Sequence, residues 1–112
     1  MARFLWLVLA NPADGADAEF NRWYDEEHVH DVVGVEGVRS VQRFEFAATG
    51  GTAAPDQRYL AVYEVEADSP EAAIEAMNKA RAEAGRMRGT SSLDPDVRLW
   101  YFRPIGPLIT SP

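Results

Sequence analysis

Apolar residues form an unbroken run near the start of the chain and alternate with polar residues in two later stretches. The run Arg3–Leu9 is too short for a free helix and predicts a buried strand. Val38–Phe46 and Arg58–Val65 show the period of two that is typical of strands, and the Gly- and Pro-containing segment between them predicts a hairpin. A last strand is predicted at Val97–Phe102. In the second strand, alternation places one set of residues on a common face: Val38, Ser40, Gln42, Phe44 and Phe46.

Two further stretches have helical spacing. Asp17 predicts the N-cap of a helix at Ala18–Val33. Ser69, with Pro70 at the first helical position, predicts a second helix that ends at Gly85. The apolar stripe of this second helix is Ala73, Ile74, Met77 and Ala80 or Arg81. The polar segment Arg86–Asp96 that follows contains Gly and Ser, and we expect a mobile loop there.

The predicted order β-α-β-β-α-β is that of the ferredoxin-like α+β fold, a four-stranded antiparallel sheet with both helices on one face. The other face of the sheet carries large apolar side chains that nothing in a single chain covers. We therefore expect a partner sheet and a homodimer. Residues 1–103 form one domain in this interpretation, and residues 104–112 form a C-terminal tail that contains prolines.

Composition limits the possible partners. The chain has 18 acidic and 11 basic residues and a formal charge of −7, which repels nucleic acid and anionic membranes, so we expect neither as a partner. No apolar stretch is long enough to span a bilayer. The chain has no cysteine, so disulfides, a thiol nucleophile and a thiolate metal site are excluded. A cytoplasmic location is the default expectation.

The first predicted helix holds the candidate chemistry. At about 100° per residue, Phe20, Tyr24, His28 and Asp31 cluster on its inward face. Because Tyr24 and His28 are spaced i, i+4 and His28 and Asp31 are spaced i, i+3, their side chains lie within reach of one another. A carboxylate can orient an imidazole, and a phenol can stabilise negative charge on oxygen, which together make an acid/base set.

Two alternatives stay open for this helix. His28 can instead serve only as a hydrogen-bonding group in the helix–sheet interface. The inward face can also shift near the C-terminal end, because a helix that bends after His28 would turn Val29, Val32 and Val33 inward.

The pair His28 and His30 invites a metal-site interpretation. Residues i and i+2 on a helix point in nearly opposite directions, so the two imidazoles cannot share one ion. We therefore expect no metal at this site. The Gly50-Gly51 pair lies in the hairpin without a following helix and does not make a phosphate loop, and we expect no cofactor.

Other residues are candidates for substrate binding. Trp23 flanks the helix face, and Tyr63 and Trp100 can line a cavity between sheet and helices, although such aromatic residues also serve as plain core. Arg39 and Arg43 project to one side of the second strand. They can pair with the acidic run Asp25-Glu26-Glu27, or one of them can bind an anionic substrate group.

The segments Phe20-Asn21-Arg22-Trp23-Tyr24-Asp25-Glu26-Glu27-His28-Val29 and Val35-Glu36-Gly37-Val38-Arg39-Ser40-Val41-Gln42-Arg43-Phe44 resemble the dimeric α/β-barrel superfamily in its EthD-like and REDY-like branch. That branch has a W-Y-x-x-x-H helix, a P-G-hydrophobic turn and a Q/R-R-aromatic strand. The strand Arg58–Glu64 is also similar. The family usually has proline at the positions of His30 and Glu36, where this chain departs from the pattern.

The resemblance implies homodimers with back-to-back sheets, one cleft per subunit and small hydrophobic substrates, often aromatic or polyketide-like. Relatives include cofactor-free cyclases, isomerases, lyases and monooxygenases. His28 matches the family's helix histidine, with Trp23 and Tyr24 as neighbours. We expect a cofactor-independent dehydratase, cyclase or isomerase with His28, Tyr24 and Asp31 as catalytic residues and with Trp23, Phe20, Tyr63, Trp100 and Arg43 binding substrate. A cofactor-free monooxygenase and a non-catalytic ligand-binding protein are the alternatives.

Overall fold

A computed structural model describes all residues 1–112. In chain order the elements are β1 (Ala2–Ala10), α1 (Asp17–Trp23), a π-helical turn (Tyr24–His28), α2 (Val29–Val33), β2 (Val38–Glu45), β3 (Tyr59–Ala67), α3 (Pro70–Ala82) and β4 (Arg98–Phe102). The strands form one antiparallel sheet in the order β2-β3-β1-β4. Both helical regions share a core with one face of this sheet. The predicted ferredoxin-like α+β fold is therefore confirmed.

The helix-covered face of the sheet, called the inner face below, receives every second residue of the two central strands, as the pleat requires. Along β1, Phe4, Trp6, Val8 and Ala10 are buried. Antiparallel pairing places Tyr63 of β3 opposite Trp6, and the two ring centroids lie 4.8 Å apart. These two aromatic residues form the floor beneath the helices.

Strand β2 departs from the simple alternation that the sequence predicts. Its register with β3 shifts between Val38 and Ser40, which inserts one extra residue as in a β-bulge. Val38 faces the core, but beyond the bulge Val41 pairs with Tyr63 and Arg43 pairs with Ala61, so these two residues turn to the inner face. The predicted common face therefore holds for Ser40, Gln42 and Phe44, which lie on the side of the sheet away from the helices, but Val38 does not share it.

The first helical region runs from Asp17 to Val33 and begins one residue earlier than predicted. Ala16 occupies the N-cap position without a side-chain cap, and the Asp17 carboxylate pairs instead with Arg58 at 2.9 Å. The second helix, α3, starts as predicted: the Ser69 hydroxyl accepts a hydrogen bond from the Ala72 N–H at 3.1 Å, with Pro70 at the start of the helix.

The segment after α3 is tied to the rest of the fold, which corrects the expectation of a mobile loop. The Ala13 N–H donates to the Ser92 carbonyl, and the Asp94 N–H donates to the Asn11 carbonyl. Arg86 reaches the Gly34 carbonyl at 3.0 Å. Because these bonds connect the segment to both the β1–α1 loop and the end of α2, it forms a fixed cover over one end of the helices.

The face of the sheet away from the helices, called the outer face below, is apolar and open. Phe44, Trp100 and Phe102 are each about half exposed, and β1 adds its alternate leucines between them. The tail beyond β4 also exposes apolar side chains, with Ile105 at 99%. None of the helices has the length and apolar character that crossing a bilayer would demand.

Candidate active site

A cavity of about 150 Å³ lies between the inner face and the helices. It is lined mainly by aromatic and aliphatic side chains from both helical regions, from β1, β3 and β4, and from the segment before β4. The lining residues that carry polar or aromatic groups relevant to chemistry are Trp6, Trp23, Tyr24, His28, Tyr63 and Arg81. An apolar cavity with a few convergent polar groups is the usual form of a small-molecule site.

The π-helical turn sets the direction of the residues that follow His28. The Val29 N–H donates to the Tyr24 carbonyl, five residues back, so one extra residue is accommodated in the turn. At 3.6 residues per turn, one added residue rotates everything after it by roughly 100°. Val32, which a straight helix would place on the flank, is fully buried. The alternative in which valines after His28 turn inward is therefore the one the structure adopts for Val32, while Val33 stays exposed.

His28 packs between two aromatic rings. Its imidazole stacks on Trp23 with ring centroids 4.4 Å apart and an interplanar angle of 21°. Tyr24 meets it edge to face at 5.1 Å. The i, i+4 proximity of Tyr24 and His28 predicted from the sequence is thus present, and Trp23 lies beside them.

Three buried polar atoms on residues that line this cavity have no hydrogen-bond partner in the protein: Trp6 Nε1, His28 Nδ1 and the Tyr63 hydroxyl. Leaving one such group without a partner costs about 1–3 kcal/mol. Unpartnered polar groups are rare in folded proteins, and three of them belong to residues that line one cavity, which makes this cavity the candidate site for a polar ligand.

Burial is the main reason that the pKa of His28 falls to about 4, and the positive charge of Arg81 lowers it further, while Asp31 acts in the opposite direction. The imidazole is therefore neutral at physiological pH and has a lone pair available to accept a proton.

The two phenols of the cavity stay protonated. Burial raises the pKa of Tyr24, while the nearby Tyr63 phenol and the Arg43 charge act to lower it. Burial also raises the pKa of Tyr63, and the proximity of Tyr24 adds to that rise, although the Tyr63 hydroxyl forms no hydrogen bond of normal geometry. Both groups can therefore donate a hydrogen bond to a ligand oxygen.

Asp31 does not form the predicted contact with His28. Its carboxylate accepts two hydrogen bonds from the Arg88 guanidinium, at 3.1 and 2.9 Å, and one from the Arg88 N–H at 3.0 Å. The Arg88 side chain holds the pKa of Asp31 below its usual range. The Arg88 carbonyl in turn accepts from Trp23 Nε1 at 3.1 Å. Asp31 therefore anchors the segment that fixes Trp23. The prediction that Asp31 contacts and orients His28 directly is wrong.

Three of the predicted substrate-binding residues, Phe20, Trp100 and Arg43, lie outside the cavity. Phe20 is fully buried and packs its ring against Tyr24 and Tyr59 as core. Trp100 projects to the outer face, because the pairing of Leu7 with Trp100 places it on the side opposite Trp6 and Tyr101. The other two, Trp23 and Tyr63, do line the cavity.

Arg43, the third of these residues, pairs with the acidic run, which is one of the two alternatives given by the sequence. Its guanidinium binds Asp25 and the Asn21 side chain, each at 2.8 Å, and lies 4.4 Å from the centroid of the Tyr24 ring. Arg43 thus makes a cation–π contact with the Tyr24 ring from outside the cavity. Arg39 pairs with Glu66 and not with the acidic run.

Sequence reasoning missed three residues that shape the site: Trp6, Arg81 and Arg88. Trp6 carries the one polar side-chain group within the apolar run Phe4–Leu9, and Arg81 occupies a position that helical spacing shares with the apolar stripe of α3. These two anomalies were readable signals. Arg88 had none, because its partner Asp31 lies 57 residues away in the chain.

Two solved structures share this fold. One is a "putative monooxygenase" from Shewanella loihica PV-4, with 19% identity, coverage of 95% of this chain and 97% of that chain, and a TM-score of 0.59. The other is an EthD family protein from Bacillus halodurans C-125, with 12% identity, coverage of 94% and 100%, and a TM-score of 0.54. No family model and no curated protein matches the sequence. At these identities the likeness is one of fold alone.

Proposed function

We propose that this protein is a cofactor-independent acid/base enzyme that acts on a small hydrophobic carbonyl or hydroxyl compound, as a dehydratase, cyclase or isomerase. One observation carries the proposal. A neutral histidine, with a buried ring nitrogen that has no partner in the protein, faces a cavity that also holds two protonated phenols.

His28 acts as the base. Its neutral imidazole removes a proton from a carbon next to a carbonyl group, and the negative charge that develops on the carbonyl oxygen is stabilised by the Tyr24 hydroxyl. The imidazolium then returns the proton. Delivery to a departing hydroxyl gives dehydration, and delivery to another carbon gives isomerisation. A base of pKa about 4 is weak in the unliganded site, and the enolate formed beside it favours its protonated form.

Asp31 serves as a positioning residue in this scheme. Its bonds to Arg88 hold the segment whose carbonyl accepts from Trp23 Nε1, and Trp23 is the ring on which His28 stacks. Loss of Asp31 would therefore loosen the imidazole without removing a reacting group.

The proposed enzyme is a homodimer. The outer face exposes Phe44, Trp100 and Phe102 at 45%, 48% and 54%, and a contiguous apolar face of this kind is a typical protein–protein contact surface. A second copy packed sheet to sheet covers it with the same residues from both subunits.

A second candidate is a cofactor-free monooxygenase, which the name of the Shewanella neighbour favours. There the carbanion that His28 produces reduces dioxygen, and a substrate CH₂ group plus O₂ gives a carbonyl group plus water. The substrate supplies the four electrons. Oxygen consumption during turnover separates this reaction from the first candidate.

The step common to both enzyme candidates is tested by proton exchange. Phenylacetone, a one-ring ketone with acidic carbon-bound protons, is incubated with the protein in D₂O, and loss of the methylene signal is followed by NMR. We expect exchange faster than in buffer. In His28→Gln it falls by about 10²- to 10⁴-fold, because glutamine cannot take up the proton.

His30→Gln is the matched control, because His30 lies two residues away and is exposed. Its exchange rate stays within about twofold of that of the unchanged protein. A non-catalytic binding protein would give no exchange above buffer, and equal rates in the His28 and His30 variants would remove His28 from the mechanism. Circular dichroism verifies that both variants are folded.

A further inference from the structure

The arginines of this chain are almost all neutralised by carboxylates. Eight of them form ion pairs, and among the 11 lysines and arginines only Lys79, Arg81 and Arg103 form none. An unpaired cation is unexpected in a protein with 18 acidic residues. Arg103 belongs to the C-terminal region, and Lys79 is an exposed residue of α3. Arg81 alone of the three lines the cavity that holds His28.

Arg81 is the one ionised side chain on the cavity lining, where His28 is neutral and the remaining residues are aromatic or aliphatic. It is exposed, whereas the polar residues Trp6 and Tyr63 are buried. Arg81 therefore stands where the cavity meets solvent, and Trp6 and Tyr63 lie at its inner end.

The position of Arg81 at the end of α3 gives it one ordinary role, because cations in the last turn of a helix interact favourably with the helix dipole. Lys79 lies in the same last turn and fills that role without facing the cavity. The dipole therefore does not account for a guanidinium beside His28. A guanidinium with no protein partner has five free donors in a fork that matches a carboxylate.

We propose that this cavity takes an anionic ligand, a one-ring carboxylate whose carboxylate pairs with Arg81 and whose inner oxygen accepts from Trp6 Nε1 or the Tyr63 hydroxyl. The inference rests on the proposed function only in taking this cavity as the substrate site. It narrows the substrate from a hydrophobic carbonyl or hydroxyl compound to one that also carries a negative charge at the end nearest solvent.

The size of the cavity sets the one-ring limit. Its volume is about 150 Å³, and an apolar protein cavity of about that volume holds a benzene molecule. A ring between Trp23 and the inner face would leave its two polar ends at opposite ends of the cavity. One end then meets the free donors of Trp6 and Tyr63, and the other end meets Arg81.

Occupancy by an anion also acts on His28. The groups that face the imidazole are Tyr24 and Asp31 from its own helical region, Tyr63 from β3 and Arg81 from α3. Of these, Arg81 is the charge that disfavours the imidazolium. A carboxylate paired with Arg81 offsets that charge, so binding of the anion raises the pKa of His28 and makes it a stronger base.

The test compares two probes of nearly equal shape, 4-hydroxybenzoate and 4-hydroxybenzamide, by titration calorimetry at pH 7. Only the first carries a charge. We expect 4-hydroxybenzoate to bind at least about 10-fold more tightly, as a charge-assisted bidentate pair requires. Arg81→Gln removes that preference, and Arg103→Gln, which changes the unpaired arginine of the C-terminal region, retains it.

Three results would overturn the proposal: equal affinity for the two probes, a preference that survives in Arg81→Gln, or no saturable binding of 4-hydroxybenzoate. An NMR titration of His28 adds a second measurement, in which its pKa rises with the benzoate and not with the benzamide. His28→Gln keeps the benzoate preference while abolishing proton exchange. Failure of the acid/base function and failure of anion recognition are therefore distinguishable.

Discussion

The inner and outer faces of the sheet are built from the same four strands, yet they leave opposite kinds of group without a partner. On the inner face, Trp6 and Tyr63 are buried and carry polar atoms that bond to nothing in the protein. On the outer face, Trp100 and Phe102 are apolar and half exposed. A buried polar atom without a partner and an exposed apolar ring are both unfavourable, but each is relieved by a different kind of molecule.

The unpartnered polar atoms of the inner face suit a small ligand with oxygen atoms, and the exposed rings of the outer face suit a large apolar surface. Adjacent residues of β4 make the division clear, because Tyr101 stacks on Trp6 at 5.7 Å while Trp100 points the other way. Alternation along one strand therefore separates the proposed ligand site from the proposed dimer contact. Substitutions on one face should then leave the other face unchanged.

The largest effect is expected on the outer face. Trp100→Glu places a charge within the proposed dimer contact, and loss of an aromatic residue that anchors an interface typically costs about 2–4 kcal/mol of association. We expect the dimer to weaken by about 30-fold or more in analytical ultracentrifugation. The affinity of the cavity for 4-hydroxybenzoate stays unchanged, because Trp100 does not line it.

Val33→Glu is the control for that experiment, since Val33 is also an exposed apolar residue but lies in α2 and not in the sheet. It should associate as the unchanged chain does. If Trp100→Glu sediments like the unchanged protein, the outer face is not the dimer contact and the contrast between the two faces fails.

The strands and helices of this fold could be predicted from hydrophobic periodicity, because the repeat of the strand pleat and of the helix determines which positions along the chain are apolar. The inner position of Tyr24 and His28 followed from their i, i+4 spacing. The bulge in β2 and the π-helical turn could not be predicted in the same way. Each adds one residue to a regular repeat, and only packing against the rest of the fold reveals where the addition falls.

The contacts that finish the site join residues far apart in the chain. The i, i+3 spacing predicts that Asp31 contacts His28, but Arg88 offers a bidentate partner, and a charge-assisted pair of that kind is stronger than a contact with a neutral imidazole. The proposed role of Arg81 rests on the ion pairing of the other arginines, which is a property of the whole fold. Neither the Asp31–Arg88 pair nor the unpaired state of Arg81 can be predicted from spacing along the chain.

Acid should lower the stability of the folded protein through His28, which lies against the inner face. The folded-state pKa of about 4 lies below the unfolded value of about 6.5, so as pH falls below about 6.5 the unfolded chain binds a proton that the folded chain does not. The free energy of unfolding therefore decreases between about pH 6.5 and 4, by about 2–3 kcal/mol, and this contribution is absent above about pH 7.

Urea unfolding of the unchanged protein and of His28→Gln at a series of pH values measures this contribution. The carboxylate of Asp31 also loses its favourable pairing in acid, because its folded-state pKa is lowered, so the difference between the two proteins is the informative quantity. That difference should be constant above about pH 7. Below about pH 6.5 the unchanged protein should steadily lose stability relative to His28→Gln. A constant difference across the range would mean that His28 is not buried as a neutral group.

The smallest effect separates stability from function within the inner face. Tyr63→Phe removes a buried hydroxyl that has no partner, so the free energy of unfolding should rise by about 1 kcal/mol, because an unsatisfied polar group is no longer desolvated. Tyr59→Phe is the matched control, since the Tyr59 hydroxyl accepts a hydrogen bond from Asn21 at 3.3 Å, and it should lower stability by about 1 kcal/mol or less. The affinity for 4-hydroxybenzoate should fall only in Tyr63→Phe.

A more stable variant that binds less tightly would show that the fold gives up stability at this position to keep a hydrogen-bond donor free for a ligand. Equal destabilisation of the two variants would show instead that the Tyr63 hydroxyl is bonded in solution and belongs to the core.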